Sequence, residues 1–172
     1  MTRRHVALVG PMGAGKTSVG RALSARSDLP LHDNDEELRR RTGATPAELA
    51  RTRGIDELHA EEAVTAKEAL AAPEPAVVTV AASAILDAAV RAALEETAFV
   101  VWLHAGPDVL VDRIADPGVR PEFAASLRDI VGNQASERDP WFRAVADADF
   151  DTAAFDPDEL ADRIAALPQL AG

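Results

Sequence analysis

The sequence contains no cysteine, which excludes disulfide bonds and thiolate metal sites. It has few basic residues for its 29 acidic ones, and the net charge of −11 argues against binding nucleic acid or an anionic membrane surface. No apolar stretch is long enough to span a bilayer, and the apolar run at residues 6–9 is too short for a signal peptide. We therefore expect a soluble, cytoplasmic protein with neither nucleic acid nor membrane among its partners.

What is present is an alternation of short apolar segments with helical patterns. At 172 residues, 47% of them hydrophobic, the chain can bury a core, and we expect a single domain over residues 1–172. The segment Ala76–Val80 is almost entirely apolar, as in a strand covered on both faces. The alternation predicts an α/β fold, with a parallel sheet between two layers of helices and a ligand at the carboxyl ends of the strands.

The predicted strands cover residues 5–9, 30–33, 76–80, 98–103 and 147–152. Asn34 or Asp35 is expected to cap the helix that follows the second strand. A further helix is expected over residues 84–94. The helix after residue 121 is expected to end near Asp139-Pro140, because proline interrupts helices.

Two further helices are predicted between residues 45 and 71. Thr45 should cap the first of them, with Pro46 at the first helical position and Glu48 three residues after the cap. In the second, Glu62 lies on an apolar stripe. We expect it at the solvated edge of the stripe rather than held by a partner.

The strongest motif is the segment Gly10–Thr17, which has the pattern G-x-x-x-x-G-K-T between a predicted strand and a predicted helix. That context is typical of a loop whose backbone N–H groups surround a phosphate. The lysine can reach the β- and γ-phosphates of a nucleotide, and the threonine hydroxyl can bind Mg²⁺. The alternative is a plain glycine turn. The predicted nucleotide contacts are Gly13, Ala14, Gly15, Lys16, Thr17 and Ser18.

Two carboxylates, Asp33 and Asp35, follow the second predicted strand. Carboxylates at this spacing can divide two roles, one near Mg²⁺ and one near an acceptor hydroxyl. The alternative is that both only cap the next helix. Arg120 and Arg138 are candidates for binding anionic groups, with a solvated surface charge as the alternative for each.

With these features the chain resembles the shikimate kinases, over residues 6 to about 167. The specific motifs are Asp33-x-Asp35, Val119-Arg120-Pro121, and Arg138-x-Pro140 with an aromatic residue two positions later. The resemblance implies a phosphate-loop kinase fold with a five-stranded parallel sheet in the order 2-3-1-4-5. It also implies an acceptor-binding helical region at about 34–62, a lid at about 115–125, and the cofactors ATP and Mg²⁺.

The resemblance also implies roles for single residues. Lys16, Thr17 and Asp33 would serve ATP and Mg²⁺, with Thr17 and Asp33 as the metal ligands. Asp35 would contact the acceptor hydroxyl, Arg120 the phosphate in transfer, and Arg138 a carboxylate of the acceptor. Arg113 and Pro157 would flank the adenine. The implied catalytic residues are Lys16, Asp35 and Arg120.

The acceptor half departs from the family pattern. Leu58 stands where the family has phenylalanine, and His59 where it has the arginine that grips the shikimate carboxylate. Ala81-Ala82-Ser83 replaces a triple glycine, and Ala50 an aromatic residue. A neutral imidazole cannot form the paired hydrogen bonds of a guanidinium with a carboxylate. Alternatively Arg51 or Arg53 fills that role.

We therefore expect an ATP-dependent kinase that phosphorylates a hydroxyl of a small polar metabolite, with an altered acceptor pocket. Its predicted acceptor contacts are Asp35, His59, Ala82 and Arg138. The alternatives are a genuine shikimate kinase and a non-catalytic nucleotide-binding relative. Its expected partners are ATP and the small-molecule acceptor, and a monomer is the expected state.

Overall fold

The computed structural model describes residues 5–114 and 121–170, with only the backbone of residues 121–125. A five-stranded parallel sheet has the order β2-β3-β1-β4-β5, which confirms the predicted fold class and strand order. Its strands are β1 His5–Val9, β2 Leu31–His32, β3 Val77–Thr79, β4 Ala98–His104 and β5 Ala148–Asp151. All five predicted strands are thus present.

The helices of the described residues lie on both faces of this sheet. They are α1 Lys16–Ser27, α2 Asn34–Thr42, α3 Pro46–Arg53, α4 Ile55–Leu70, α5 Ala88–Thr97, α6 Pro107–Ile114, α7 Pro121–Val145 and α8 Pro157–Ala165. Within the described ranges, no helix is long and apolar enough to cross a bilayer.

Two apolar cores lie on opposite faces of the sheet. On one face α1, α6 and α8 pack against alternate residues of β1 and β4, with Leu8 and Val101 fully buried. On the other, α4, α5 and the end of α7 pack against residues such as Ala7 and Val100. A small third cluster of Leu38, Leu49 and Leu58 joins α2, α3 and α4. The sheet is therefore covered on both faces, as its continuous apolar strands require.

Helix α3 begins as predicted. Thr45 is its cap, with the Thr45 side chain accepting a hydrogen bond from the Glu48 N–H and the Glu48 side chain reaching back to the Thr45 N–H. Asp156 and Glu159 form the same capping box at α8. Each box satisfies helix N–H groups that have no partner inside the helix.

The start of α2 differs from the prediction. Asp33, rather than Asn34 or Asp35, caps the helix, because its carboxylate accepts hydrogen bonds from the N–H groups of Asp35 and Glu36. The helix predicted over 84–94 also begins later. Ala84–Leu86 form one 3₁₀ turn, and α5 starts at Ala88 after the cap Asp87.

Helix α7 continues past Pro140 to Val145, so the predicted end near Asp139-Pro140 is wrong. The proline removes one hydrogen bond of the helix. Tertiary contacts compensate for that loss, because Phe142 and Val145 are buried in the core between the sheet and helices α4 and α5. The Arg91 guanidinium also stacks on the Trp141 ring, 3.9 Å from its centroid.

The turn after β1 depends on a close approach of two backbones at Gly10. Its φ is +147°, and a Cβ atom there would lie 2.1 Å from the carbonyl oxygen of Leu103 in β4. Only glycine fits this position without displacing one of the strands. Gly132, within α7, has open space around it and no such strain.

We predict that Gly10→Ala lowers the free energy of unfolding by about 2–4 kcal/mol, because the strand end must move. Gly132→Ala is the matched control and should raise that free energy by about 0.5–1 kcal/mol, since alanine favours helices. Urea unfolding followed by circular dichroism measures both. Equal stability of Gly10→Ala and the parent would contradict the close approach.

Candidate active site

The candidate site lies at the carboxyl edge of the sheet. There β1 runs into the loop Gly10–Gly15, β2 into Asp33, and β3 into Ala81-Ala82-Ser83. Because the strands are parallel and adjacent, these three segments meet at one edge, as expected for a ligand site in an α/β sheet.

The loop Gly10–Gly15 has the backbone shape of an anion site. Gly10, Gly13 and Gly15 all have positive φ, and among the described residues no side chain caps the start of α1. The first N–H groups of α1 are therefore available to an anion, which the helix dipole also favours. Ala14 is buried beneath the loop, whereas Ser18 is exposed on the first turn of α1.

Lys16 is folded back over this loop. Its ammonium group donates hydrogen bonds to the carbonyl oxygens of Gly10 at 2.8 Å and Pro11 at 2.9 Å. Burial lowers the pKa of Lys16 to about 8, against the opposing effect of nearby carboxylates, first Asp35 and then Glu62. Lys16 thus lies where the phosphate loop meets the acidic groups of the pocket.

Asp33 caps α2 and is also hydrogen-bonded to Thr17, which follows the phosphate loop. Besides capping α2, its buried carboxylate accepts hydrogen bonds from the hydroxyl groups of Thr17 at 2.7 Å and Thr79 at 3.1 Å. The oxygen atoms of Thr17 and Asp33 are suitable ligands for Mg²⁺. Within the described residues no group of three or more His, Cys, Asp or Glu side chains could hold a metal ion. A two-ligand site still fits Mg²⁺, which keeps waters and substrate phosphates as its other ligands.

Asp35 lies two residues further on, in the first turn of α2, and is exposed. Even so, partial burial of its carboxyl and the nearby Asp33 charge raise the pKa of Asp35 above its usual range. A carboxylate with a raised pKa is a better proton acceptor than an ordinary one. Asp35 therefore has the properties of a group that accepts the proton of an acceptor hydroxyl.

Glu62 is buried in α4 rather than at a solvated edge, so that prediction is wrong. The hydroxyl of Ser83, also buried, donates a hydrogen bond to its carboxylate. Burial raises the pKa of Glu62, while Ser83, then His59, lowers it. The sequence analysis did not identify Ser83 as the partner of Glu62. The pattern that indicates such a pair is a glutamate on an apolar stripe together with a polar residue after an apolar strand.

Arg138 is buried within α7 and not at a helix end, contrary to the prediction. Its Nε atom has no hydrogen-bond partner among the described residues, and its ion pair with Glu137 is long, at 3.9 Å. Burial lowers the pKa of Arg138, opposed by Glu137 and Glu62. A buried guanidinium with so few partners has hydrogen-bonding capacity left for an anionic ligand.

The residues that depart from the family pattern lie on α3, on α4 and in the loop after β3. His59 is half-buried on α4, one turn before Glu62, and Ala82 is half-buried in the loop after β3. Leu58 and Ala50 belong to the cluster that joins α2, α3 and α4. The alternative arginines Arg51 and Arg53 are both exposed on α3.

The predicted adenine contacts lie at the other side of the loop. Arg113 donates hydrogen bonds to the Thr152 hydroxyl at 2.8 Å and carbonyl at 2.9 Å, and to the Gly13 carbonyl at 3.2 Å. It thereby connects α6 and the phosphate loop to the segment that leads into α8, where Pro157 is exposed.

Arg120 lies outside the described residues, as does part of the predicted lid at about 115–125.

Comparison with known proteins decides the family. A sequence model of the family described as shikimate kinase matches residues 12–167. The chain belongs to the shikimate kinase family. The shikimate kinase of Pseudomonas fluorescens strain Pf0-1 is 34% identical over 174 residues, which cover 96% of this chain and 98% of that protein.

A solved structure of shikimate kinase from Acinetobacter baumannii in complex with shikimate superimposes with a TM-score of 0.86 and 30% identity, over 96% of this chain and 93% of that one. Membership of the shikimate kinase family makes this protein an ATP-dependent small-molecule kinase that uses ATP with Mg²⁺. The resemblance stated from sequence motifs is thereby confirmed.

The charge state of Lys16 predicts that ATP binding depends on pH. Its pKa of about 8 means that the ammonium form predominates below pH 8 in the free enzyme and is lost as the pH rises further. We predict that ATP binds about tenfold more weakly at pH 9 than at pH 7, measured by calorimetry. Lys16→Arg, whose guanidinium stays charged, should show no such change. The same loss in both proteins would exclude Lys16 as its source.

Asp33 generates a metal prediction. Asp33→Asn keeps an oxygen that can cap α2 but loses the negative charge, so the Mg²⁺ concentration for half-maximal turnover should rise at least roughly tenfold. Asp87→Asn is the matched control, because Asp87 caps α5 through the N–H groups of Ala89 and Val90 in the same way. Mg²⁺ titrations of turnover, with melting temperatures, compare the two. Equal Mg²⁺ dependence would remove Asp33 from the metal site.

Proposed function

We propose that this enzyme transfers the γ-phosphoryl group of ATP to a hydroxyl of shikimate. The observation that carries the proposal is Arg138, a buried guanidinium whose Nε has no hydrogen-bond partner among the described residues. The charges of Asp35 and Arg138 both act on the pKa of Lys16, which supports a carboxylate and a cation near the phosphate loop. A small molecule with one carboxylate and one reacting hydroxyl matches this pairing. The relatives named shikimate kinase support the same acceptor.

On the nucleotide side, the N–H groups of the loop Gly10–Gly15 and the ammonium of Lys16 would hold the phosphates. Bound ATP with Mg²⁺ supplies the phosphoryl group and a cation that neutralises its charge. Thr17 and Asp33 would hold the metal, and Arg113 would lie against the base. Lys16 would exchange its hydrogen bonds to the Gly10 and Pro11 carbonyls for phosphate oxygens.

On the acceptor side, Arg138 would bind the carboxylate and thereby orient the ring of the acceptor. Asp35 would accept the proton of the reacting hydroxyl as its oxygen forms the new bond to phosphorus. The products are then a phosphate ester and ADP. Positioning and charge neutralisation supply most of the rate in such transfers, because the protein forms no covalent bond.

A second candidate acceptor is a different small cyclic acid with several hydroxyl groups. Ser83 and Ala82 carry side chains where the family has glycine, and His59 replaces an arginine, so the pocket has one fixed cation fewer and a different wall. The loss of one guanidinium–carboxylate contact weakens binding by about 10²–10³-fold.

The proposed cytoplasmic location and monomeric state rest on the sequence alone.

The deciding measurement is acceptor-dependent ADP release by the purified enzyme. We expect shikimate turnover with kcat/KM of ~10⁴ M⁻¹s⁻¹ or higher. Arg138→Met should raise the KM for shikimate about 100-fold or more, because it removes the carboxylate ligand. Arg51→Met is the matched control, since Arg51 is exposed on α3, and should leave that KM unchanged.

Absence of shikimate turnover, together with turnover of another hydroxylated cyclic acid, would overturn shikimate as the acceptor and favour the second candidate. If Arg51→Met raised the KM for shikimate as much as Arg138→Met does, the carboxylate of the acceptor would be bound by α3 instead. Melting temperatures of both variants separate loss of binding from loss of folding.

A further inference from the structure

Arg91 of α5 connects two segments that carry proposed acceptor contacts. Its Nη1 atom donates hydrogen bonds to the carbonyl oxygens of Ile85 at 2.8 Å and Leu86 at 2.9 Å. Both residues belong to the 3₁₀ turn that follows the loop Ala81-Ala82-Ser83. The same guanidinium stacks on the ring of Trp141 in α7, 3.9 Å from its centroid. One side chain therefore joins the turn after β3 to α7.

The turn of α7 that Arg91 contacts also carries Arg138. Trp141 follows Arg138 by three residues, so the two are neighbours on the helix. Pro140 lies between them and removes one hydrogen bond of the helix. This turn therefore depends more than the rest of α7 on contacts with other elements, which are the burial of Phe142 in the core and the stacking of Trp141 on Arg91.

The two contacts of Arg91 use different parts of its guanidinium. The hydrogen bonds use the N–H groups at its edge, and the stacking uses its flat face, so both form at once. The planar group therefore fixes the 3₁₀ turn relative to Trp141 more closely than either contact would alone. Because the turn is continuous with the loop Ala81-Ala82-Ser83, that loop and Arg138 are held at one separation.

We propose that Arg91 is a positioning residue that sets the separation between the loop after β3 and Arg138, and thereby the affinity for the acceptor. The inference rests on the proposed function, in which Arg138 binds the acceptor carboxylate and the loop that carries Ala82 forms part of the wall. The phosphate loop is positioned through Thr17 and Asp33 instead. Arg91 therefore affects the acceptor and not the nucleotide.

The kinetic test uses Arg91→Met in the intact enzyme. The KM for shikimate should rise about tenfold, because hydrogen bonds from a charged donor are lost, while the KM for ATP stays within about twofold. A general loss of stability would instead lower the folded fraction, and with it kcat, without raising the KM of one substrate alone. A fall in kcat alone, or an equal rise in both KM values, would overturn the inference.

Arg163→Met is the matched control. Arg163 lies in α8, and its guanidinium stacks on the ring of Phe155 at 4.0 Å, almost the separation found for Arg91 and Trp141. Its removal should leave the KM for shikimate unchanged. A rise as large as that in Arg91→Met would show that the effect is not specific to Arg91 and would overturn the inference.

A double-mutant cycle tests whether Arg91 acts through Trp141. Trp141→Leu alone should raise the KM for shikimate about threefold, since a stacked cation is lost. Added to Arg91→Met, it should cause no further rise, because the contact is already absent. Independent effects that multiply in the double variant would overturn the connection to α7.

Hydrogen exchange measured by mass spectrometry tests the inference even if shikimate is not the acceptor. In Arg91→Met, residues 81–87 and 136–142 should exchange about fivefold faster or more, whereas the phosphate loop should exchange as in the parent. Unchanged exchange in the first two segments would overturn the inference while leaving the proposed function intact. Failure of the parent enzyme to use shikimate would overturn the proposed function and leave the exchange result to stand.

Discussion

The arrangement of the site depends on the carboxylate of Asp33. Its two oxygens accept hydrogen bonds from the hydroxyl groups of Thr17 and Thr79 and from the N–H groups of Asp35 and Glu36 in the first turn of α2. One side chain therefore ties together α1, β3 and α2. Because Asp35 follows Asp33 by two residues in a helix that begins at this cap, the same hydrogen bonds set the position of Asp35 relative to the phosphate loop. Asp35 and the nucleotide site are thus held in one unit, and phosphoryl transfer depends on such positioning.

Charge is distributed unevenly in this molecule. The chain carries a net charge of −11, yet the site has to bind the polyanion ATP. Two buried or partly buried cations, Lys16 and Arg138, provide local positive charge, together with the uncapped N-terminus of α1. Burial lowers the pKa of both cations, and neighbouring carboxylates oppose that effect. An acidic surface and an anion-binding pocket are compatible because short-range fields in a buried site exceed the screened field of distant surface charges.

The two halves of the site differ in how far apart their residues lie in the sequence. The phosphate loop is a single segment, so its residue spacing alone identifies it and the structure adds its geometry. The residues proposed for the acceptor, Asp35, His59, Ala82 and Arg138, come from four separate segments. Their grouping depends on how α4 and α7 pack on the sheet. His59 and Ser83 depart from the family pattern in this half, whereas the nucleotide motif follows the pattern.

The sequence by itself determined the class of fold, the positions of the five strands and the nucleotide motif, because these follow from local periodicity and from contiguous residues. Tertiary structure alone decided three features. Helix α7 passes through Pro140, because the burial of Phe142 and Val145 offsets the lost hydrogen bond. Asp33 became the cap of α2, because the hydroxyl groups of Thr17 and Thr79 hold its carboxylate at the helix start. Glu62 is an interior group rather than an edge residue. Its partner Ser83 is 21 residues away in the chain, and the two are in contact because α4 packs against the end of β3.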